Sequence, residues 1–448
     1  MSIHYDNALS KLLQTCELLP DFGHVERACV IRDLRGRLRL VCKVDPAQPD
    51  PDWAAIEAAL GAALGAWFAG PVLHTRSQSA EVTRAAQALL AQPQNQGWPT
   101  GWPAALPGQL GGGTAQLPAR WCGSNRVLTK ESWLDQRPQQ AIWPFVEGAA
   151  PPHFTTPLVV SFFSFKGGVG RTTALALVAR RLAMSGKRIM VVDLDLEAPG
   201  LAPFFGRDPA LGVIDALLAH GATGALSLAG LLEEEVDAQG ANLSLIGAGR
   251  LGWGHVEKLA RLDYLHGSGE AQSPVERGLR ALLDELKRKN AYDVILLDAR
   301  AGLHDLGGLA LHGLAHIDVL VGRDNAQSRL GMELVAKALA RKRRANGAQR
   351  NPPQWTPNIV VAHTFVPTAG SQVAEAAYRA ALHQLFSAEL YDPNQLPALE
   401  DATMPHFAHP IRDFGSNGAP SDLASADSSF YDHGDYKALA ERILRAAP

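Results

Sequence analysis

Phe165-Lys166-Gly167-Gly168-Val169-Gly170-Arg171-Thr172-Thr173 is the stretch on which the reading of this chain turns. Leu158 to Phe163 runs into it as a short apolar segment with the character of a buried strand. Thr172 to Ser185 leaves it with the apolar spacing and the good formers of a helix. In that context the glycines let the backbone curl with its N–H groups inward, and the helix N-terminus adds partial positive charge. The stretch therefore reads as a phosphate-binding loop, with the Thr172 hydroxyl placed for Mg²⁺. A glycine turn that merely precedes a helix is the plain alternative. The usual loop is G-x-x-x-x-G-K-[ST]. Here Phe165 stands at the first glycine, Lys166 begins the turn, and Arg171 replaces the final lysine. A guanidinium chelates phosphate oxygens where a lysine acts as a point charge, so the exchange predicts nucleotide binding more firmly than fast hydrolysis.

Two further segments carry carboxylates to the same place. Ile189 to Val192 reads as a second buried strand, ending in Asp193-Leu194-Asp195-Leu196-Glu197-Ala198-Pro199-Gly200-Leu201. Strand alternation points Asp193 and Asp195 to one side, at the carboxyl edge where open α/β sheets gather their ligands. Tyr292 to Leu297 is a third apolar strand, ending in Asp298, and reads as a Walker B element that holds Mg²⁺ through a water. The alternative for the aspartates is that they cap loops.

Lys166 to Thr172, written K-G-G-x-G-x-T, resembles the deviant P-loop of the MinD/ParA (SIMIBI class) ATPases. With Arg171 and the D-L-E-A-P-G-L run from Asp195 to Leu201, it is similar to a subgroup of K-G-G-V-G-R variant ATPases. The resemblance covers roughly residues 155 to 445. It implies an α/β fold with a mostly parallel β-sheet flanked by helices, and ATP with Mg²⁺ as ligands. Lys166, Gly167, Gly168, Val169, Gly170, Arg171, Thr172 and Thr173 would line the nucleotide. Lys166 would act in trans across a nucleotide-dependent homodimer, and Asp195 would orient the attacking water. Thr172, Asp193 and Asp298 would hold or approach the metal. Ala301 to Gly308 resembles the family's mobile switch loop. The function implied is a slowly hydrolysing ATP switch acting with partner proteins. A nucleotide-stabilised scaffold without hydrolysis, and a DNA-partitioning or defence-type ATPase, stand beside it.

Later segments continue the fold: strands at Ile317 to Arg323 and Asn358 to His363, and a closing helix near Asp435 to Ala447. The segment His363-Thr364-Phe365-Val366-Pro367 follows a strand where the resemblance would bring an adenine to be bounded or stacked, while a lone His is more often structural. Arg341-Lys342-Arg343-Arg344 is either a basic patch for nucleic-acid phosphates or a set of cations favoured by a helix C-terminus.

Composition bounds the rest. The 448 residues allow two or three domains, and a formal net charge of -3 excludes a chain that is strongly basic throughout. Residues 1–135 read as a smaller N-terminal α+β domain that binds a partner or senses a signal. Residues 136–157 read as a proline-rich linker, and 158–448 as the ATPase domain. Ala28 to Arg32 and Arg37 to Val44 form a hairpin around Gly36, followed by a helix capped near Asp52. Trp53, Ile56, Leu60, Leu64 and Trp67 recur at helical spacing, which describes a core helix and not a membrane span. Gln92 to Pro118 reads as an irregular loop containing Gly111-Gly112-Gly113. Cys16, Cys29, Cys42 and Cys122 lack paired spacing and fit a reduced, cytoplasmic protein.

Overall fold

The computed structural model describes residues 3, 5–33, 36–92, 95–99, 102–103, 105–106, 115–125, 133, 142–148, 154–234, 242–264, 272–347, 358–391, 394, 396–412 and 434–447. Gly111-Gly112-Gly113 lies outside these residues, as do the side chains of Lys342, Arg343 and Arg344. The chain divides into two compact units, Met1–Leu128 and Thr129–Pro448.

In the smaller unit, β1 (Val25–Arg32) and β2 (Leu38–Val44) pair antiparallel, with Arg32 opposite Leu38. Gly36 lies in the connecting turn at φ 84°, a left-handed conformation that suits glycine. β3 (Leu73–His74) extends β2 in parallel, and β6 (Trp121–Asn125) extends β1 in parallel. Between them in sequence, β4 (Ala105–Leu106) and β5 (Ala115–Gln116) form a separate two-stranded ribbon. The helix Trp53–Leu64 starts where Asp52 accepts a hydrogen bond from Ala55 N–H at 3.0 Å. Its Ile56, Leu60 and Leu64 are buried with Leu9, Leu12 and Leu13 of the helix Tyr5–Glu17, as the 3.6-residue spacing requires. This is the α+β arrangement expected for the N-terminal region.

The larger unit is built on seven strands: β7 (Leu158–Phe163), β8 (Ile189–Asp193), β9 (Leu243–Ile246), β10 (Val294–Asp298), β11 (Ile317–Gly322), β12 (Asn358–Val366) and β13 (His409–Arg412). Their order is β13-β12-β11-β7-β10-β8-β9, and every pairing is parallel. β7, β8, β10 and β11 are buried along their whole length, which accounts for their mostly apolar sequences, with Ser161 in β7 and Asp318 in β11 as buried polar exceptions. Alternation divides β7 between two faces. Val159 and Phe163 pack with helices Val213–Thr223 and Pro274–Lys289, whereas Leu158, Val160 and Phe162 pack with Arg171–Met184 and Gly434–Arg445. Part of the stretch read as a linker lies against this unit: Trp143 is buried, and its indole N–H donates to the Pro157 carbonyl at 3.1 Å. Among the described residues, no helix is long and apolar enough to cross a membrane.

Candidate functional site

β7 delivers the chain to the carboxyl edge of the sheet, where residues 164–170 turn into the helix Arg171–Met184. Gly168 and Gly170 hold φ of 73° and 77°, which an L side chain rarely adopts, so the turn requires glycine at both. A Cβ at Gly167 or Gly168 would meet nothing within 4 Å, so the outer side of the curl is open. Val169 is buried and anchors the turn to the core. Lys166 is half-buried at the front, its carbonyl accepting the Ser164 hydroxyl at 2.9 Å, and Thr173 is half-buried in the first helical turn. Phe165, in the place of the usual first glycine, lies against Gly331 of the helix Ala326–Gly347. A Cβ at Gly331 would fall 2.0 Å from its ring, so the helix can approach there only as glycine.

The arginine in the glycine loop does not stand alone. Arg171 is 7% exposed, and its Nε donates to Asp298 Oδ1 at 2.6 Å. Its Nη2 donates to Asp195 Oδ2 at 2.9 Å and lies 3.3 Å from Thr172 Oγ1. The Thr172 hydroxyl donates to Asp298 Oδ2 at 2.7 Å. The other oxygen of Asp195 accepts Arg300 Nη1 at 2.6 Å. Arg300 Nη2 reaches Glu197 Oε2 at 2.8 Å, and Glu197 Oε1 meets His304 Nε2 at 2.8 Å. Asp298, Arg171, Asp195, Arg300, Glu197 and His304 thus form one alternating chain of charge and hydrogen bonds. It ties the glycine loop to the segments after β8 and β10. A second tie is Gly302 N–H, which donates to the Ser164 carbonyl at 3.0 Å.

Asp193 holds a different position. Its Oδ1 accepts Asp195 N–H at 3.0 Å, and its Oδ2 accepts Gly200 and Leu201 N–H at 3.2 and 3.1 Å. The carboxylate so pins the loop from Asp195 to Leu201, the run that the sequence shows as D-L-E-A-P-G-L. Burial, with the Asp298 charge adding to it, pushes the Asp193 carboxyl up to about 8 against the pull of those N–H donors. Burial also raises Asp298, with the charge and hydrogen bonds of Arg171 and Thr172 drawing it back.

His304 Nδ1 caps the helix Asp305–Leu309 by accepting Leu306 N–H at 3.3 Å. With Nδ1 an acceptor, the neutral ring carries its proton on Nε2 and donates it to Glu197. Strand alternation ends with β8 at Asp193 and with β10 at Asp298, so the turn after each strand, and not the pleat, places Asp195, Glu197 and Arg300. Glu197 was visible in the sequence as part of the D-L-E-A-P-G-L run, whereas its pairing with Arg300 was not.

The carboxyl end of β12 is divided between roles. His363 is 3% exposed, its ring centred 4.1 Å from that of Tyr378, and burial lowers its pKa to about 4. That packing gives His363 a structural role, with the imidazole turned into the core beneath β12. Phe365 instead lies beside the loop, 4.0 Å from where a Cβ on Gly170 would stand. The Arg323 guanidinium lies 5.3 Å from the Phe365 ring centre.

A family model described as an AAA domain matches residues 158–200, the span from β7 through the second aspartate loop. An iron-sulfur cluster carrier protein of Rickettsia bellii is 30% identical over 82 residues, covering 18% of this chain and 23% of that protein. Such matches extend over no more than 23% of the length of the curated relatives. Among solved structures, the cell division ATPase MinD of Pyrococcus furiosus is 20% identical at a TM-score of 0.42, covering 65% of this chain and 99% of that one. A cobyrinic acid a,c-diamide synthase of Mycobacterium smegmatis is 23% identical at a TM-score of 0.42, covering 64% and 95%. The parallel sheet with a glycine loop between β7 and its helix is the arrangement of a P-loop NTPase fold, and the AAA-domain match falls on those same residues.

Proposed function

We propose that the larger unit binds ATP with Mg²⁺ and works as a slowly hydrolysing nucleotide switch of the MinD/ParA type. The observation that carries this reading is the gathering of Asp195, Asp298 and Thr172 around Arg171 at the mouth of a glycine loop. Backbone N–H groups from Gly167 to Thr173 line the phosphates, with Lys166 at the front of the turn serving the nucleotide of a second copy. The oxygens of Thr172 and Asp298 suit a hard cation, and they already lie 2.7 Å apart. Mg²⁺ bound there would neutralise charge on the phosphate oxygens. Asp193, engaged by three backbone N–H groups, keeps the Asp195 loop in place beside that pair.

Hydrolysis on this reading requires Asp195 to receive a water, and both of its oxygens are bonded to arginines. Release of Asp195 by Arg171 or Arg300 is then the gating step. Movement of Arg171 onto the phosphates would exchange one set of anionic partners for another. The same double clamp favours a second reading, a scaffold that holds nucleotide without turning it over. Dimerisation and a protein partner for the smaller unit belong to the proposal, as does the choice of ATP.

Mg²⁺-dependent ATP turnover, measured beside Asp195→Ala and Arg171→Lys, separates the readings. The switch predicts turnover that Asp195→Ala abolishes. A lysine cannot bridge Asp195 and Asp298 with a planar fork, so Arg171→Lys is expected to raise turnover about tenfold. Absence of turnover in both the native protein and Arg171→Lys, with ATP still bound, would favour the scaffold.

A further inference from the structure

The four cysteines of the smaller unit are all buried, and they fall into two groups. Cys16 and Cys42 are packed on one face of the sheet, whereas Cys29 of β1 and Cys122 of β6 are packed together on the other. β1 and β6 run parallel, with Cys29 directly opposite Cys122. Neighbouring strands hold such α-carbons about 5 Å apart, inside the span of about 4.4–6.8 Å that a disulfide bridges. The two thiols share a hydrogen bond. Each sulfur also lies near a carbonyl, Cys29 at 3.7 Å from Asn95 and Cys122 at 3.5 Å from Ala28, which are the acceptors of a fully protonated pair.

Charge singles out Cys122. Arg27 Nε donates to its sulfur at 3.3 Å, and Arg27 Nη2 donates to the Asn95 carbonyl at 3.4 Å. Among the described residues no carboxylate pairs with Arg27, so a Cys122 thiolate is the anion that would answer its charge. The Cys29 hydrogen bond, with Arg27 adding to it, draws the Cys122 thiol down to about 7 against the effect of burial. The same hydrogen bond and burial push Cys29 up, so Cys29 keeps its proton. Burial pushes Cys16 and Cys42 up as well. Arg27, which touches Cys122, and Leu90, which shares its apolar cluster, also line a surface depression. One layer of side chains therefore separates the sulfurs from water.

We propose that Cys122 and Cys29 form a dithiol that reacts with small hydroperoxides, with Cys122 the attacking thiolate beside Arg27 and Cys29 the resolving thiol. The Cys122 sulfur attacks a peroxide oxygen and the O–O bond breaks. The departing alkoxide or hydroxide takes a proton and leaves as alcohol or water, and Cys122 becomes a sulfenic acid. Cys29 then gives up its proton, its sulfur bonds to that of Cys122, and the displaced hydroxide leaves as water. Two thiols are oxidised to one disulfide and one hydroperoxide is reduced. The pair stands apart from the glycine loop and does not depend on the ATP reading.

Hydrogen peroxide added to the reduced full chain tests the proposal, with disulfides located by peptide mapping under non-reducing conditions. A Cys29–Cys122 disulfide is expected while Cys16 and Cys42 stay reduced. Its rate of formation should rise with pH through a midpoint near 7, the Cys122 value. Cys29→Ser should leave a Cys122 sulfenic acid that dimedone traps. Arg27→Gln should slow the reaction at pH 7 about tenfold, with Arg27→Lys restoring much of the rate. The pH profile is read on the native protein, so it decides the matter even if a variant disturbs the fold. Oxidation spread evenly over all four cysteines, or no Cys29–Cys122 disulfide, would overturn the proposal. So would a midpoint near the ordinary thiol value of 9.0.

Discussion

The two units handle charge in opposite ways. At the carboxyl edge of the larger sheet, Arg171 is buried between Asp298 and Asp195, and every charge from Asp298 to Glu197 has a partner of the other sign. On the smaller sheet, Lys43 and Glu26 pair at 2.7 Å where both side chains are exposed. Screening explains why the difference matters. A buried pair interacts in a low dielectric and strands a charge when broken, whereas water takes the place of a lost partner at the surface. The charges around Arg171 are therefore structural as well as chemical, and the exposed pair of Lys43 and Glu26 can be changed with little effect on folding.

Chemical denaturation offers the strongest test of that contrast. Asp298→Ala removes the acceptor of both Arg171 Nε and Thr172 Oγ1, and should cost about 3 kcal/mol by leaving the buried guanidinium with Asp195 as its remaining carboxylate. A loss below about 1 kcal/mol would show that the chain of pairs does not bear on stability. The next effect is expected with pH. His363 titrates near 4 in the fold against an ordinary value of 6.5, so between these values the unfolded chain holds more protons. His363 should contribute a fall of roughly 3 kcal/mol as pH drops from about 6.5 to about 4, with His316 and His409 acting in the same direction and the raised Asp193 carboxyl opposing them. His363→Phe should flatten that part of the profile; an unaltered slope would mean that other groups govern it.

Smaller effects belong to the smaller unit. Asp52→Ala removes the cap of the helix Trp53–Leu64 and should cost about 1 kcal/mol, with Asp52→Asn restoring most of it. Glu26→Ala breaks the exposed pair with Lys43 and should cost no more than about 0.5 kcal/mol. Comparable losses from Glu26→Ala and Asp298→Ala would erase the distinction between the units.

Much of the larger fold was legible because its signals are local. An apolar run of six residues, a glycine turn and a helical repeat lie within 30 residues of one another, and each constrains its own backbone. The strands at Ile189, Tyr292, Ile317 and Asn358 were found for the same reason, since a strand covered on both faces must be apolar throughout. The hairpin at Gly36 and the cap at Asp52 are likewise written in a few neighbouring residues. The direction of His363 was not, because burial against Tyr378 depends on a helix eight residues further along the chain.

The sequence by itself determined which chemistry reaches the carboxyl edge of the sheet: a glycine loop with Lys166 and Arg171, and aspartates at the ends of two strands. Tertiary structure alone decided what those groups do to each other. Arg171 and Asp298 are 127 residues apart, Asp195 and Arg300 are 105 apart, and Glu197 and His304 are 107 apart. They meet because β10 lies between β7 and β8, an order that no periodicity records. Periodicity states which way a side chain faces along its own strand. Which strand comes to lie beside it is settled by packing across the whole sheet, and with it whether an arginine meets a phosphate or a carboxylate.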